Sequence, residues 1–434
     1  MRPIYSLFMR LAQPFVRRRL RRRGVQEPGY LVAMNERFGH YESDQPVMAG
    51  CVWIHAVSLG ETRAAAILIT ALRERLPGMR LLLTHGTATG RQEGAKLLQA
   101  GDRQAWQPWD TPDAVARFLV HFKPRIGILM ETEVWPNLVA ICKAMEVPLV
   151  LANARMSRKS LSTSLKLRRL SRPAYAALTS VWAQTQADAS RLGQLGASVQ
   201  GVFGNIKFDA MPDADQLARG RLWHKALRRP VVMLAVSREG EEAQLLDILQ
   251  DHLTATAPKM ASRVQWMIVP RHPQRFDEVA ALIEAGGFKV SRRSQWVDGP
   301  RQEVDGTLPT VWLGDSMGEM PFYYGLADAA LLGGSFEKLG GQNLIEAAAC
   351  GCPVIMGPHT FNFAEAASLA NAAGAAQRAP TLARAVVAAC ETVLDAQSLQ
   401  ASRHNALAFA QAHRGCAHLL AAAIENVLNQ SLAS

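Results

Sequence analysis

From residue 51 onward the chain alternates short apolar runs, rich in valine, isoleucine and leucine, with longer stretches of helical period, and it does so twice. Continuous apolar runs of this length predict strands buried on both faces, and the helical stretches between them predict the helices that cover a parallel sheet. In the first half strands are expected at 52–57, 81–85, 126–130, 148–153, 181–184 and 199–203; in the second at 231–236, 266–269, 311–314, 330–333 and 354–356. The fold class is therefore α/β, with two doubly wound, Rossmann-like domains facing one another across a cleft. Between the halves, residues 209–226 open with Met211-Pro212-Asp213-Ala214 and suit a linker. A last helical stretch, 406–427, is expected to pack on one domain or the other. The boundaries that follow are 1–24 for an N-terminal segment, 25–209 and 210–405 for the two domains, and 406–434 for a C-terminal helix.

The N-terminal segment has its own period. Ile4, Leu7, Phe8, Leu11 and Phe15 recur at three- and four-residue steps, which puts them on one face of a helix that Pro14 could kink. Arg10 and the arginines at 17–19 and 21–23 interrupt it, so the run falls short of the roughly 20 apolar residues a spanning helix needs. No small-residue cleavage site follows an apolar stretch, so a secretory signal is not expected. An interfacial helix remains, its apolar side in the headgroup boundary and its arginines on anionic lipid. Packing of the same face on its own domain is the alternative. Nucleic acid is not the expected partner, since neither aromatic interleaving nor a recognition-helix pattern is present.

Charge sharpens this picture. The net charge of +11 is concentrated in residues 1–24, which carry eight arginines and no acid, and in 155–172, which carry Arg155, Arg158, Lys159, Lys166, Arg168, Arg169 and Arg172 with no acid. The remainder is near neutral. Length agrees with two domains, because 434 residues exceed what one core usually serves. The six cysteines form no CxxC pair, which argues against structural zinc and a disulfide framework and fits a reducing compartment.

Chemistry is expected just beyond the carboxyl ends of the strands. After the first strand come Val57-Ser58-Leu59-Gly60-Glu61, a small turn that delivers a helix N-terminus. It lacks the GxGxxG pattern, which removes the main support for a dinucleotide-binding oxidoreductase. Glu61 lies in the first helical turn, where it can serve the helix dipole or catalysis. Glu131-Thr132-Glu133-Val134-Trp135-Pro136-Asn137 follows a buried strand, and two acids there are costly unless they serve a site; helix capping is the other reading, with Glu133 its better candidate. Lys207, in Asn205-Ile206-Lys207-Phe208-Asp209, suits a substrate anion or a plain surface position. In the second half, Pro270-Arg271-His272-Pro273, Asp315-Ser316-Met317-Gly318-Glu319 and Gly340-Gly341-Gln342-Asn343-Leu344-Ile345-Glu346 each follow a strand with anion-binding or turn chemistry. Three such segments together point to a nucleotide site.

In this order the motifs resemble the Kdo (3-deoxy-D-manno-octulosonic acid) transferases of lipopolysaccharide assembly, inverting enzymes of the GT-B architecture. The resemblance runs over nearly the whole chain. It rests on Ser-x-Gly-Glu at 58–61, Glu-Thr-Glu-x-Trp-Pro-Asn at 131–137, Asn-x-Lys-Phe-Asp at 205–209, Pro-Arg-His-Pro at 270–273 and Gly-Pro-His-Thr-Phe-Asn-Phe at 357–363. It implies Glu61 as the base on the acceptor hydroxyl, with Glu131 and Lys207 supporting the transition state. It implies nucleotide contacts from Arg271, His272, Met317, Gly318 and Glu319, and from Asn343, Leu344, Ile345 and Glu346. The implied donor is CMP-Kdo and the implied acceptor a tetraacylated lipid A precursor (lipid IVA), met at the cytoplasmic face of the inner membrane with no metal and no cofactor.

Two departures stand out. Gln342 and Leu344 replace the family's usual histidine and proline, and Val236-Ser237-Arg238-Glu239-Gly240-Glu241 stands for Ser-Thr-His-Glu-Gly-Glu, which removes the histidine. Another GT-B glycosyltransferase, a UDP-sugar epimerase and a non-catalytic nucleotide-binding membrane scaffold are the alternatives.

Overall fold

The computed structural model describes residues 1–41, 49–254, 260–300 and 309–433. It divides into two compact units, Met1–Asp209 with Arg414–Ser434, and Ala210–His413.

Unit 1 is built on seven parallel strands, β1 (Val52–His55), β2 (Leu81–His85), β3 (Arg103–Trp106), β4 (Ile126–Met130), β5 (Leu149–Ala154), β6 (Ser180–Ala183) and β7 (Val199–Val202). Their order is β3-β2-β1-β4-β5-β6-β7. Both faces of the sheet are buried, which is why its strands are continuous apolar runs rather than alternating ones. Val52 and Ile54 of β1 pack with Leu68 and Leu72 of the helix Leu59–Arg75 and with Leu420 and Ile424 from the end of the chain. Trp53 points the other way and meets Phe118 with ring centroids 4.8 Å apart.

Unit 2 repeats the plan with β8 (Val231–Ser237), β9 (Gln265–Pro270), β10 (Lys289–Arg292), β11 (Thr310–Leu313), β12 (Ala329–Leu332), β13 (Val354–Met356) and β14 (Ala376–Arg378). All neighbours are parallel, in the order β10-β11-β9-β8-β12-β13-β14. The α/β class and two doubly wound sheets agree with the sequence, and all eleven expected strands are present. The three not expected, β3, β10 and β14, are sheet edges. Arg103, Gln104, Lys289, Arg292, Gln377 and Arg378 are polar because an edge strand leaves side chains and one row of backbone groups toward water.

In each sheet the winding reverses once, between β1 and β4 in unit 1 and between β8 and β12 in unit 2. At these reversals the loops leave the sheet in opposite directions and open a crevice. The backbone is unusual at the same places. Register shifts accompany left-handed, non-glycine residues at Asn153 in β5 (φ 53°) and Val236 in β8 (φ 57°), and Glu131, just past β4, has φ 57°. Such a conformation costs about 1–3 kcal/mol per residue, and bulges of this kind re-aim side chains.

Two expectations are corrected. The stretch 209–226 is not a linker, since most of it is the helix Ala214–Lys225, N-capped by the Asp213 side chain on the Gln216 N–H at 2.9 Å. Its packing depends on glycine. A Cβ at Gly220 would overlap the Phe322 carbonyl oxygen, and one at Gly325 would fall 2.6 Å from that of Leu217. The helix therefore lies backbone to backbone on Met320–Leu326, a contact invisible to an apolar-period reading. The single C-terminal helix is two: Ala396–Ala412 belongs to unit 2 and Cys416–Ala433 to unit 1, with Gly415 (φ 106°) between them.

The N-terminal helix spans Arg2–Gln26, with Pro14 inside it. One side is tied to unit 1. Tyr5 Oη donates to Asp110 Oδ2 at 2.9 Å, Ser6 Oγ to Asn137 Oδ1 at 2.8 Å, and Trp109 Nε1 to the Met9 carbonyl at 2.8 Å. The apolar face is left uncovered in unit 1, with Ile4 68 %, Phe8 66 %, Leu11 66 % and Phe15 77 % exposed.

Candidate active site

Glu61 stands just past β1, at the reversal in unit 1. Ser58 is the N-cap of the helix Leu59–Arg75, and its Oγ accepts from the Glu61 N–H and donates to Glu61 Oε1 at 3.2 Å. Oε2 accepts from the Val57 N–H at 2.9 Å. This is a capping box displaced by one residue, and it locks the carboxylate in place. Burial pushes the Glu61 carboxyl up to about 7, and the nearby carboxylates of Glu131 and Glu133 push the same way against the Val57 and Ser58 hydrogen bonds. A base with that value is half ionised near neutrality and holds a proton-transfer driving force.

Glu131 is 6 % exposed at the end of β4, and Lys207 Nζ meets its Oε1 at 2.9 Å. Lys207 is part-exposed, and Arg155 stands 4.0 Å from the other Glu131 oxygen, so the buried carboxylate has two cations beside it. Lys207 lies on the short turn Ile206–Asp209, which is hung from Asn153: its side-chain oxygen accepts from the Ile206 N–H at 3.1 Å. Glu61, Glu131 and Lys207 are thus all gathered at the carboxyl edge of unit 1. Glu133, read as a helix cap, does something else. It accepts from Trp135 Nε1 at 2.9 Å, while the helix Pro136–Ala144 is capped from a distance by Asp110, which takes the Asn137 and Leu138 N–H groups at 3.1 and 2.7 Å. Asp110 is the residue that sequence reasoning missed. It precedes Thr111-Pro112, a local cap signal that its neighbour Thr111 uses, so nothing in the sequence marks its remote role.

In unit 2 the reversal brings the β8 turn to the glycine loop after β12. Glu241, fully buried, accepts the Gly334 N–H on both oxygens at 2.8 Å and the Arg238 N–H at 3.0 Å. Ser237 Oγ donates to Glu242 Oε1 at 2.7 Å, and Glu242 pairs with Arg275 at 2.8 Å, so the Ser237 hydroxyl is an internal strut. His272 is held below the usual imidazole range by partial burial and by Arg271, Arg238 and Arg275 around it. Of these cations Arg275 is paired with Glu242 and Glu278, at 2.8 and 2.9 Å. The glycine loop is braced from 357–363: a Cβ at Gly340 would fall 2.5 Å from the Asn362 and Phe361 side chains, and Asn362 Nδ2 donates to the Leu339 carbonyl at 3.0 Å.

The expected nucleotide residues divide by what they expose. Met317 is 60 % exposed and Gly318 turns at φ 77°. The Glu319 carboxylate is taken by Arg219 at 2.6 Å, Arg293 at 3.0 Å and Ser316 at 2.5 Å, which leaves the turn backbone to a ligand. Asn343 caps the short helix Leu344–Ala349, accepting from the Ile345 N–H at 3.1 Å. Leu344 and Ile345 are each 1 % exposed, so their side chains belong to the core of unit 2.

Two Rossmann-like units, one with an acid at its reversal and the other with a glycine loop beside the Arg238 turn, define a protein of the GT-B class. The solved structure of a UDP-GlcNAc 2-epimerase from Neisseria meningitidis shares this fold with TM-score 0.55 and 14 % identity over 87 % of this chain and 99 % of that one, a likeness of fold alone. Sequence goes further. Residues 33–210 match the family model described as 3-deoxy-D-manno-octulosonic-acid transferase (kdotransferase). The 3-deoxy-D-manno-octulosonic acid transferase of Bordetella pertussis is 46 % identical over 441 residues, covering 98 % of this chain and 99 % of that one. That of Haemophilus influenzae is 33 % identical over 370 residues, 83 % of each. The chain belongs to the 3-deoxy-D-manno-octulosonic acid (Kdo) transferase family and is a glycosyltransferase, which sets aside the epimerase and the scaffold.

Proposed function

We propose that the protein transfers Kdo from CMP-Kdo to a tetraacylated lipid A precursor, with inversion, at the cytoplasmic face of the inner membrane. Glu61 takes the proton of the acceptor hydroxyl as its oxygen bonds to the anomeric carbon. The bond to the phosphate oxygen breaks on the opposite side, and CMP leaves with the electron pair. Lys207 and Glu131 support the charge that develops. Residues 25–209 serve the acceptor; within 210–405, Arg271, His272, the 317–319 turn and the backbone and polar groups at 343–346 serve the nucleotide. The observation that carries this reading is the Glu61 carboxyl, fixed by the Val57 N–H at 2.9 Å and raised to about 7. The uncovered apolar face of Arg2–Gln26, rimmed by arginine, supports an interfacial position. Among the described residues no helix is long and apolar enough to cross a membrane.

The test is sugar transfer in detergent micelles. The purified chain should form Kdo-lipid from CMP-Kdo and lipid IVA and none from UDP-sugars; transfer from a UDP-sugar alone would replace the donor assignment.

A further inference from the structure

Unit 1 contains a cavity of about 250 Å³ that the roles above leave unused. The N-terminal helix forms one wall with Arg19 and Arg23, and Arg37 from the turn Met34–Phe38 stands in another, so three guanidinium groups share one space. Two acids also line it, and both are committed. Asp110 is spent on the Asn137 and Leu138 N–H groups and on Tyr5, and Glu133 on the Trp135 indole.

Of the three, Arg23 is shared with Glu27 through its Nε at 3.1 Å, and Arg37 is the most telling. Its guanidinium lies 3.7 Å over the Trp106 ring and donates to the Gly86 carbonyl at 3.1 Å, while its buried Nε has no partner. Among the described residues no carboxylate stands within 4.0 Å of it. Burial lowers it to about 10, against Tyr30 and against a Glu36 carboxylate that is itself paired with Arg91 at 3.0 Å, so it remains cationic at neutral pH. Tyr30, 2 % exposed and stacked on Trp106, also lines the cavity and keeps a buried hydroxyl without a partner. Buried polar groups are normally satisfied, and a guanidinium with an orphaned Nε and no carboxylate in contact, beside an orphaned hydroxyl, marks a place for an anion. Planar donor forks match phosphate oxygens, and several cations suit a dianion better than a carboxylate.

Position narrows the ligand. Val57, whose N–H holds Glu61, lines the same cavity. Val16, Leu20 and Trp109 give it apolar walls, and its helix wall is the helix whose opposite face is apolar and uncovered. A phosphate bound here lies beside the base rather than at the unit 2 nucleotide loop. We propose that this cavity binds a phosphate monoester on the headgroup of the amphiphilic acceptor, through Arg19, Arg23, Arg37 and the Tyr30 hydroxyl. The proposal rests on the transferase reading and adds to it the acceptor feature that is recognised.

The full-length chain is tested with a phosphorylated glycolipid acceptor and its phosphatase-treated counterpart, both in neutral detergent micelles, by equilibrium binding and by transfer kinetics. Wild type is expected to bind the phosphorylated form at least about tenfold tighter, and Arg19→Ala/Arg23→Ala to reduce that preference below about twofold with the donor KM unchanged. Arg37→Lys, which keeps the charge and loses the fork, and Tyr30→Phe, which removes only a hydroxyl, should each weaken it several-fold. Arg18→Ala/Arg22→Ala removes the same charge from the same helix outside the cavity and should keep the preference. A preference retained in Arg19→Ala/Arg23→Ala, or lost equally in the Arg18→Ala/Arg22→Ala control, overturns the site. Inorganic phosphate that competes as well as the glycolipid would make it a free-anion site and overturn the acceptor assignment. Absence of turnover in wild type, with the binding preference intact, would count against the transferase reading and not against the cavity.

Discussion

Glu61 combines two demands that usually compete. As part of a capping box it satisfies N–H groups at a helix start, a role that favours the ionised form, yet burial and two neighbouring acids hold it near 7. Its replacement by glutamine preserves shape and an acceptor oxygen for Val57 while removing the proposed base. Transfer by Glu61→Gln should fall by about 10²–10⁴-fold with CMP affinity unchanged in a calorimetric titration; near-normal turnover would unseat Glu61 as the base. The pH profile follows from the same residue. Below pH 7 Glu61, the proposed base, is protonated, so kcat/KM should fall about tenfold per pH unit there and level off above 7 until another group titrates. The stability sign is opposite. With a folded value above its ordinary 4.5, Glu61 contributes stability that is fully present below 4.5 and lost as pH rises through 7. Activity and stability should therefore diverge across that window.

Strands and helices place these residues by devices that are local in space and distant in sequence. The positive-φ residues Asn153 and Val236 bend β5 and β8 at their carboxyl ends, where Asn153 carries the Lys207 turn and Val236 opens the Arg238 turn. Asp209 closes the same edge of unit 1. Its oxygens accept the Gly415 and Ala417 N–H groups at 2.5 and 2.6 Å, seating the helix Cys416–Ala433, whose Leu420, Ile424 and Leu428 complete the core beside β1. Asp209→Ala should cost about 1–2 kcal/mol, the range for a lost N-cap. Hydrogen exchange over 416–433 should accelerate while the strands of unit 2 keep their protection; unchanged exchange in that helix would show that its packing alone suffices.

For the molecule as a whole, the N-terminal helix is the element that joins fold to environment. It is pinned to unit 1 by Tyr5, Ser6 and Met9, so its opposite face does not need to be buried for the helix to persist. The apolar face itself does not pack on unit 1, contrary to the second reading of its pattern: the side that packs is the one carrying Tyr5, Ser6 and Met9, and Ile4, Phe8, Leu11 and Phe15 form an exposed apolar strip. Phe8→Glu/Leu11→Glu should leave circular dichroism and melting near wild type, since both positions are 66 % exposed. The same pair should lower partition onto anionic vesicles at least about tenfold, from lost apolar insertion and from added negative charge near the lipid. Full retention on vesicles would count against this helix as the proposed membrane contact.

Eleven of the fourteen strands among the described residues, the two doubly wound units and the identity of the residues at their carboxyl ends were legible in the chain, because burial on both faces writes itself as uninterrupted apolar runs. The edge strands β3, β10 and β14 were not, since a half-solvated strand needs no such run. Nor was the helix at 214–225, whose packing uses the absence of side chains at Gly220 and Gly325. At the candidate site, Glu61, Glu131 and Lys207 were recognisable by position after a strand or a motif. Their proximity, the remote cap by Asp110 and the unpartnered Nε of Arg37 were not, because each depends on groups tens of residues apart. Order along the chain carries the periodic, local information from which strands and turns can be read. The raised Glu61 carboxyl of unit 1 comes from burial and neighbouring charge, and those exist only once β1 and β4 lie side by side.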